Sequence, residues 1–152
     1  MKRKRLAVIA RGYGNGQSRP GGMEAVQEYA GQMPDIGPTF QSMNVAFGAA
    51  GVAVEAGDWI AAERGIASAL SELRILLAQV DRVPPPREMS GVHKGLRRAL
   101  ALHNEAFSRM LRAIAAHSTI EYLEAMKTYL DGSKELARAN QHLTEYHAQH
   151  SA

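Results

Sequence analysis

The sequence contains no cysteine. That absence excludes disulfides, thiolate metal sites, iron–sulfur clusters and covalent c-type haem attachment together. It leaves the compartment open, because a cysteine-free chain tolerates either redox environment. Aromatic residues are scarce, at 6% of 152 residues with a single tryptophan. A core built from this chain must therefore rest on Leu, Ile, Val, Met and Ala, a composition suited to helices packing on helices. Acidic residues are missing from the start of the chain. None precedes Glu24, while Lys2, Arg3, Lys4, Arg5, Arg11 and Arg19 place +6 on the first 22 residues. The remainder sums to −3, so the net charge of +3 describes a basic arm and not a basic folded face. A nucleic-acid-binding domain carries its excess on the folded surface, so no specific nucleic-acid partner is expected.

No apolar run approaches the length of a membrane span. Met1–Arg5 has the character of a positive n-region, but Leu6-Ala7-Val8-Ile9-Ala10 stops at Arg11, short of the roughly 7–15 residues an export signal needs. The start reads as cytoplasmic as it stands, and as exported if these residues are the remnant of a signal. Gly12-Tyr13-Gly14-Asn15-Gly16 imitates a dinucleotide loop, yet the fingerprint requires a glycine where Gln17 stands and a βαβ unit around it. Residues 11–38 hold ten glycines and prolines, so 1–35 is expected to be a flexible basic arm, with a short helical turn over 23–32.

From Phe40 the apolar spacing is helical. Phe40, Met43, Phe47, Ala50 and Val54 step by three and four, as one helix face requires. Gly57 ends that helix and Asp58 is placed to cap the next, which offers Ile60, Ile66, Leu70, Leu73, Leu77 and Val80. Pro84-Pro85-Pro86 stops it, since three successive residues lack the amide a helix needs. A third helix begins near Ser90 and presents Leu96, Leu100, His103, Phe107, Met110 and Ile114. Ser118-Thr119-Ile120-Glu121 reads as a capping box opening a fourth, with Tyr122, Met126, Tyr129, Ser133, Leu136, Asn140, Leu143 and His147 on its seam.

The short connections at 57–58 and 117–118 force antiparallel hairpins. A shift of 60 residues superposes Ala46-Phe47 on Ala106-Phe107, Ala53-Val54 on Ala113-Ile114 and Ile60 on Ile120. The predicted fold is thus all-α: an antiparallel up-down four-helix bundle over 36–150, built from two related hairpins. The small residues between Gly48 and Gly57 allow close helix approach, within the chain or in a homo-oligomer.

Six histidines are the candidates for chemistry, but none falls in His-Glu-x-x-His or in Glu-x-x-His, and no metal site is expected. There is no Gly-x-Ser-x-Gly and no thiol nucleophile, so no catalytic residue is assigned and an enzyme is not expected. His103 is distinctive because it lies on an apolar seam. It stands 14 residues before its hairpin turn at His117, and Met43 stands 14 residues before Gly57. At a rise of about 1.5 Å per residue the two share a layer of the bundle, where Gly132 and Ser133 leave room.

A helical hairpin, a proline linker, a second hairpin and a C-terminal helix rich in His and Tyr resemble the soluble four-helix cytochromes, in their b-type and c-prime forms. The resemblance implies non-covalent haem b held by Met43 and His103, or by Met43 and His147. The c-prime attachment motif is lacking, since Arg138-Ala139-Asn140-Gln141-His142 has the histidine without either cysteine. In the b-type the histidine comes from the last helix, where His142 falls on the polar face. The expected function is a non-catalytic interaction or structural module, with a haem-carrying bundle as the alternative and a homo-oligomer or protein partner implied.

Overall fold

The computed structural model describes residues 22–150, with side chains as far as Glu145. The basic segment 1–21, and the expectations of an arm and an export signal that rest on it, lie outside the described residues. Among those described, five helices pack antiparallel: α1 (Met23–Gln32), α2 (Gly37–Glu55), α3 (Trp59–Asp81), α4 (Ser90–Ala115) and α5 (Thr119–His150). A short 3-10 turn, Arg87–Met89, leads into α4. No described helix is long and apolar enough to cross a membrane.

The two hairpin turns form by the same local hydrogen bonds. After α2, Gly57 takes φ 74°, its N–H donates to the Val54 carbonyl, and the Asp58 N–H reaches back to Ala53 at 2.8 Å. After α4, His117 takes φ 50°, its N–H donates to Ile114, and the Ser118 N–H reaches back to Ala113 at 2.9 Å. Both are left-handed helix terminations that satisfy carbonyls the helix leaves orphaned. Each next helix is then capped by a side chain, although the Glu121 half of the expected box does not form, because the Ser118 N–H goes to Ala113. The Asp58 carboxylate accepts from the Ala61 N–H at 3.1 Å, and the Ser118 hydroxyl accepts from the Glu121 N–H at 3.2 Å. The indole of Trp59 and the imidazole of His117 stack at 4.9 Å, so the two turns sit side by side at one end of the bundle.

The helix α1 is the main difference from the expected architecture. Its Val26 and Tyr29 are buried against Val83 and Met89, with Met33, Val92 and Leu143 packed alongside. The helix occupies the residues 23–32 expected to form a short turn, and its stability comes from docking, since so short a helix is marginal alone. Pro84, Pro85 and Pro86 are buried rather than exposed as a solvent linker. A second difference is Ile60, expected in the core and in fact 67% exposed. It lies two residues after the Asp58 cap and about 120° around the helix from Ile66, off the buried face of Ala62, Ile66, Ala69 and Leu73.

The main core joins Met43, Ala50 and Val54 of α2 with Ile66, Leu70 and Leu73 of α3, Leu100, Phe107 and Met110 of α4, and Tyr122 and Tyr129 of α5. The most extensive helix–helix contact is between α4 and α5. Their facing residues are small and repeat every seven: Ala99, Ala106 and Ala113 on α4, Ala125, Gly132 and Ala139 on α5. A seven-residue repeat keeps one seam against a partner helix over many turns. Between α2 and α5 the separation is instead filled by rings, with Phe47 stacked on Tyr129 at 4.0 Å.

Candidate functional site

His103 is fully buried on α4, as its position on the apolar seam predicts. Its Nδ1 lies 2.7 Å from the Ala99 carbonyl, one helical turn back. A carbonyl only accepts, so Nδ1 carries the proton and donates, leaving Nε2 as a bare lone pair. That Nε2 has no hydrogen-bond partner and no solvent. Burial lowers the His103 pKa from its ordinary value, a shift the bond to Ala99 partly offsets, and the ring stays neutral.

The walls of the His103 niche come from three helices. The ring meets Tyr129 edge-on at 4.8 Å and Phe40 edge-on at 5.9 Å. Gly132 closes the third side: a Cβ there would fall 2.8 Å from Nδ1, 2.9 Å from Cε1 and 3.2 Å from the Ala99 oxygen. This is the layer in which the helix count put Gly132. The Tyr129 hydroxyl donates to the Asn44 side-chain carbonyl, tying α5 to α2, and burial pushes its pKa up to about 12. Tyr122 also has a buried, unpartnered polar atom, its hydroxyl, and burial raises its pKa.

Met43 is fully buried in the same core, one α2 turn after Phe40. The His147 side chain lies outside the described residues, and His142 is exposed. No group of three or more His, Asp or Glu side chains converges as a metal site among the described residues.

Beyond Phe40 a cleft opens between α2, α4 and α5. One lobe has a volume of about 390 Å³. Ile36 and Phe40 form one wall, Val92 and Leu96 a second, and Leu136, Ala137 and Leu143 the third, with Ser133 and Asn140 as polar members. A second lobe of about 340 Å³ shares Ile36, Val92, Leu96, Asn140 and Leu143, and is closed by Val26 and Tyr29 of α1 and by Met33, Pro34 and Asp35. Sequence periodicity assigned Leu96, Ser133, Leu136, Asn140 and Leu143 to the bundle seam, but not as the walls of an opening. No signal along the chain marks the opening, because it exists only where three segments fail to meet.

His93 was not distinguished from the other histidines in the sequence. It is buried on α4, and its Nδ1 lies 2.8 Å from the Tyr29 hydroxyl of α1. Burial, followed by repulsion from Arg97, lowers its pKa to about 4 against a smaller opposing pull from Asp81. Arg97 itself pairs with Asp81 across α4 and α3.

No family model, curated protein or solved structure matches the chain significantly, so its function is argued from its own side chains.

Proposed function

We propose that the protein is a non-catalytic helical binding module whose site is the cleft between α2, α4 and α5. The observation behind this is the cleft itself. Two lobes share a wall, their combined size falls in the range of small-molecule sites, and the lining is predominantly aliphatic with a few polar groups. A bundle of this size normally closes its interior to native density. An apolar opening against Phe40 is therefore a feature that a ligand would complete. The frame around it reads as two related hairpins, supported by the like hydrogen bonds of turns 60 residues apart.

The test uses the full chain and N-phenyl-1-naphthylamine, a neutral fluorophore that brightens in apolar surroundings. Its emission should rise to saturation at one probe per chain. Ala137→Phe, which places a ring in the cleft from an exposed position, should weaken binding at least tenfold with the helical circular dichroism unchanged. Saturable binding that Ala137→Phe leaves intact would rule out the cleft as the site.

A second reading, haem held by His103 and Met43, draws on the bare Nε2 of His103. The donor chemistry fits, since a neutral imidazole with Nδ1 tied to a carbonyl is the form that ligates iron. The macrocycle would take the room now held by the ring edges of Phe40 and Tyr129. Haem titration should then yield a sharp Soret band lost in both Met43→Ala and His103→Ala; a free-haem spectrum would discard this reading.

A further inference from the structure

We infer that the occupant of the cleft is a neutral, elongated hydrocarbon with a hydrogen-bonding head, of the long-chain alcohol or isoprenoid kind, and not a fatty acid anion. The inference rests on the cleft being a binding site and adds the charge and shape of what it holds. Shape follows from the lobes. They adjoin along a shared wall that includes Ile36, Val92, Leu96 and Leu143, one reaching toward Phe40 and the other toward α1. A chain can occupy both, whereas a compact molecule fills only one.

Charge follows from the lining. Sites for carboxylates and phosphates present Arg, Lys or a cluster of backbone N–H groups. Among the described residues lining either lobe there is no Lys, Arg or His, and the one charged side chain is Asp35. Its carboxylate accepts the Gly37 N–H at 3.1 Å, so the first amide of α2 is already partnered. Among the described residues, an anionic head at this end meets a carboxylate and no cation. Ser133 already donates its hydroxyl to the Tyr129 carbonyl at 3.2 Å, so it offers a ligand only acceptor capacity, as suits a hydroxyl donor. The same exposed carboxylate would favour a cationic head only by about the threefold it disfavours an anion, which does not offset bringing that charge against an aliphatic lining.

The measurement is competition for N-phenyl-1-naphthylamine by three molecules of equal chain length: 1-dodecanol, dodecanoate and dodecyltrimethylammonium. 1-Dodecanol should displace the probe with at least tenfold lower half-saturation than either ion. Because the alcohol also partitions more readily, the decisive comparison is with Asp35→Asn, which keeps the acceptor for Gly37 and removes the charge. That variant should lower the alcohol-to-dodecanoate ratio by about threefold at low salt, an effect that salt erases in the native chain. Dodecanoate binding as well as 1-dodecanol, or a ratio unmoved by Asp35→Asn, would overturn the neutral ligand while leaving the cleft standing. Failure of all three to displace a bound probe that Ala137→Phe weakens would overturn the hydrocarbon ligand and leave the cleft standing.

Discussion

The two long seams of α5 differ in what fills them, and the difference determines where the molecule is closed and where it is open. Against α4, α5 sets Gly132 on Ala99 and Ala139 on Gly95, and small residues let the two helices pack closely. Against α2 it presents Tyr129, which needs the width of a ring to stack on Phe47. Near the hairpin turns the large side chains fill that width. Beyond Phe40 the facing residues are Ser133, Ala137 and Asn140, too short to span it, and the cleft remains. A helix that is pulled tight on one side and held off on the other leaves a void where its outward spacers run out.

The strongest way to break the contrast is to widen the tight seam. Gly132→Val puts atoms where His103 and the Ala99 carbonyl stand, and should cost about 3 kcal/mol in urea unfolding, at the upper end of overpacking effects. The smaller Gly132→Ala should cost less when His103→Ala is also present than the sum of the two single changes, because the clash is between these two residues. Simple additivity would mean that His103 is not what Gly132 accommodates.

Acidification tests the open end, where α1 is held by Tyr29 on His93. The folded chain keeps His93 neutral down to about pH 4, whereas the unfolded chain protonates it near 6.5. The unfolded state therefore binds more protons between these values. Stability is full above pH 6.5, falls as pH drops through this window, and levels off below about 4. The loss from this residue is on the order of 3 kcal/mol. His93→Gln should be less stable at pH 7.5 and show a flatter dependence between pH 6.5 and 4; an unchanged slope would assign the titration elsewhere.

Removing a spacer should have a smaller effect. Phe47→Ala deletes the ring that stacks on Tyr129 from a half-buried position and should cost about 2 kcal/mol, with increased probe binding as the α2–α5 gap opens further. Smallest are the caps. Asp58→Ala and Ser118→Ala should each cost about 1 kcal/mol and by like amounts, as the two turns share one hydrogen-bond pattern. A large disparity between the two would show that the tertiary surroundings of the turns, and not their local bonds, carry the difference.

Much of this frame was legible along the chain. The caps Asp58 and Ser118, the stop at Pro84, the start at Ser90 and the burial of Met43 and His103 all follow from neighbours within a turn or from a period of three to four. The docking of α1 was not legible, because its helix draws stability from Val83 and Met89, some 60 residues away. Nor was the partner of His93: its place three residues before Leu96 continues the α4 seam and marks it for burial, unlike His142, but Tyr29 comes from a helix 64 residues away.

By itself the sequence determined the class of structure, the helix ends and which face of each helix turns inward, because these depend on hydrogen bonds and spacings inside short segments. Only the tertiary structure decided how far apart the inward faces stand. That distance depends on which side chains from remote segments meet, such as Gly132 against His103 or Phe47 against Tyr129. The cleft is the space left where such distant pairs no longer match, so it corresponds to no motif and to no single residue.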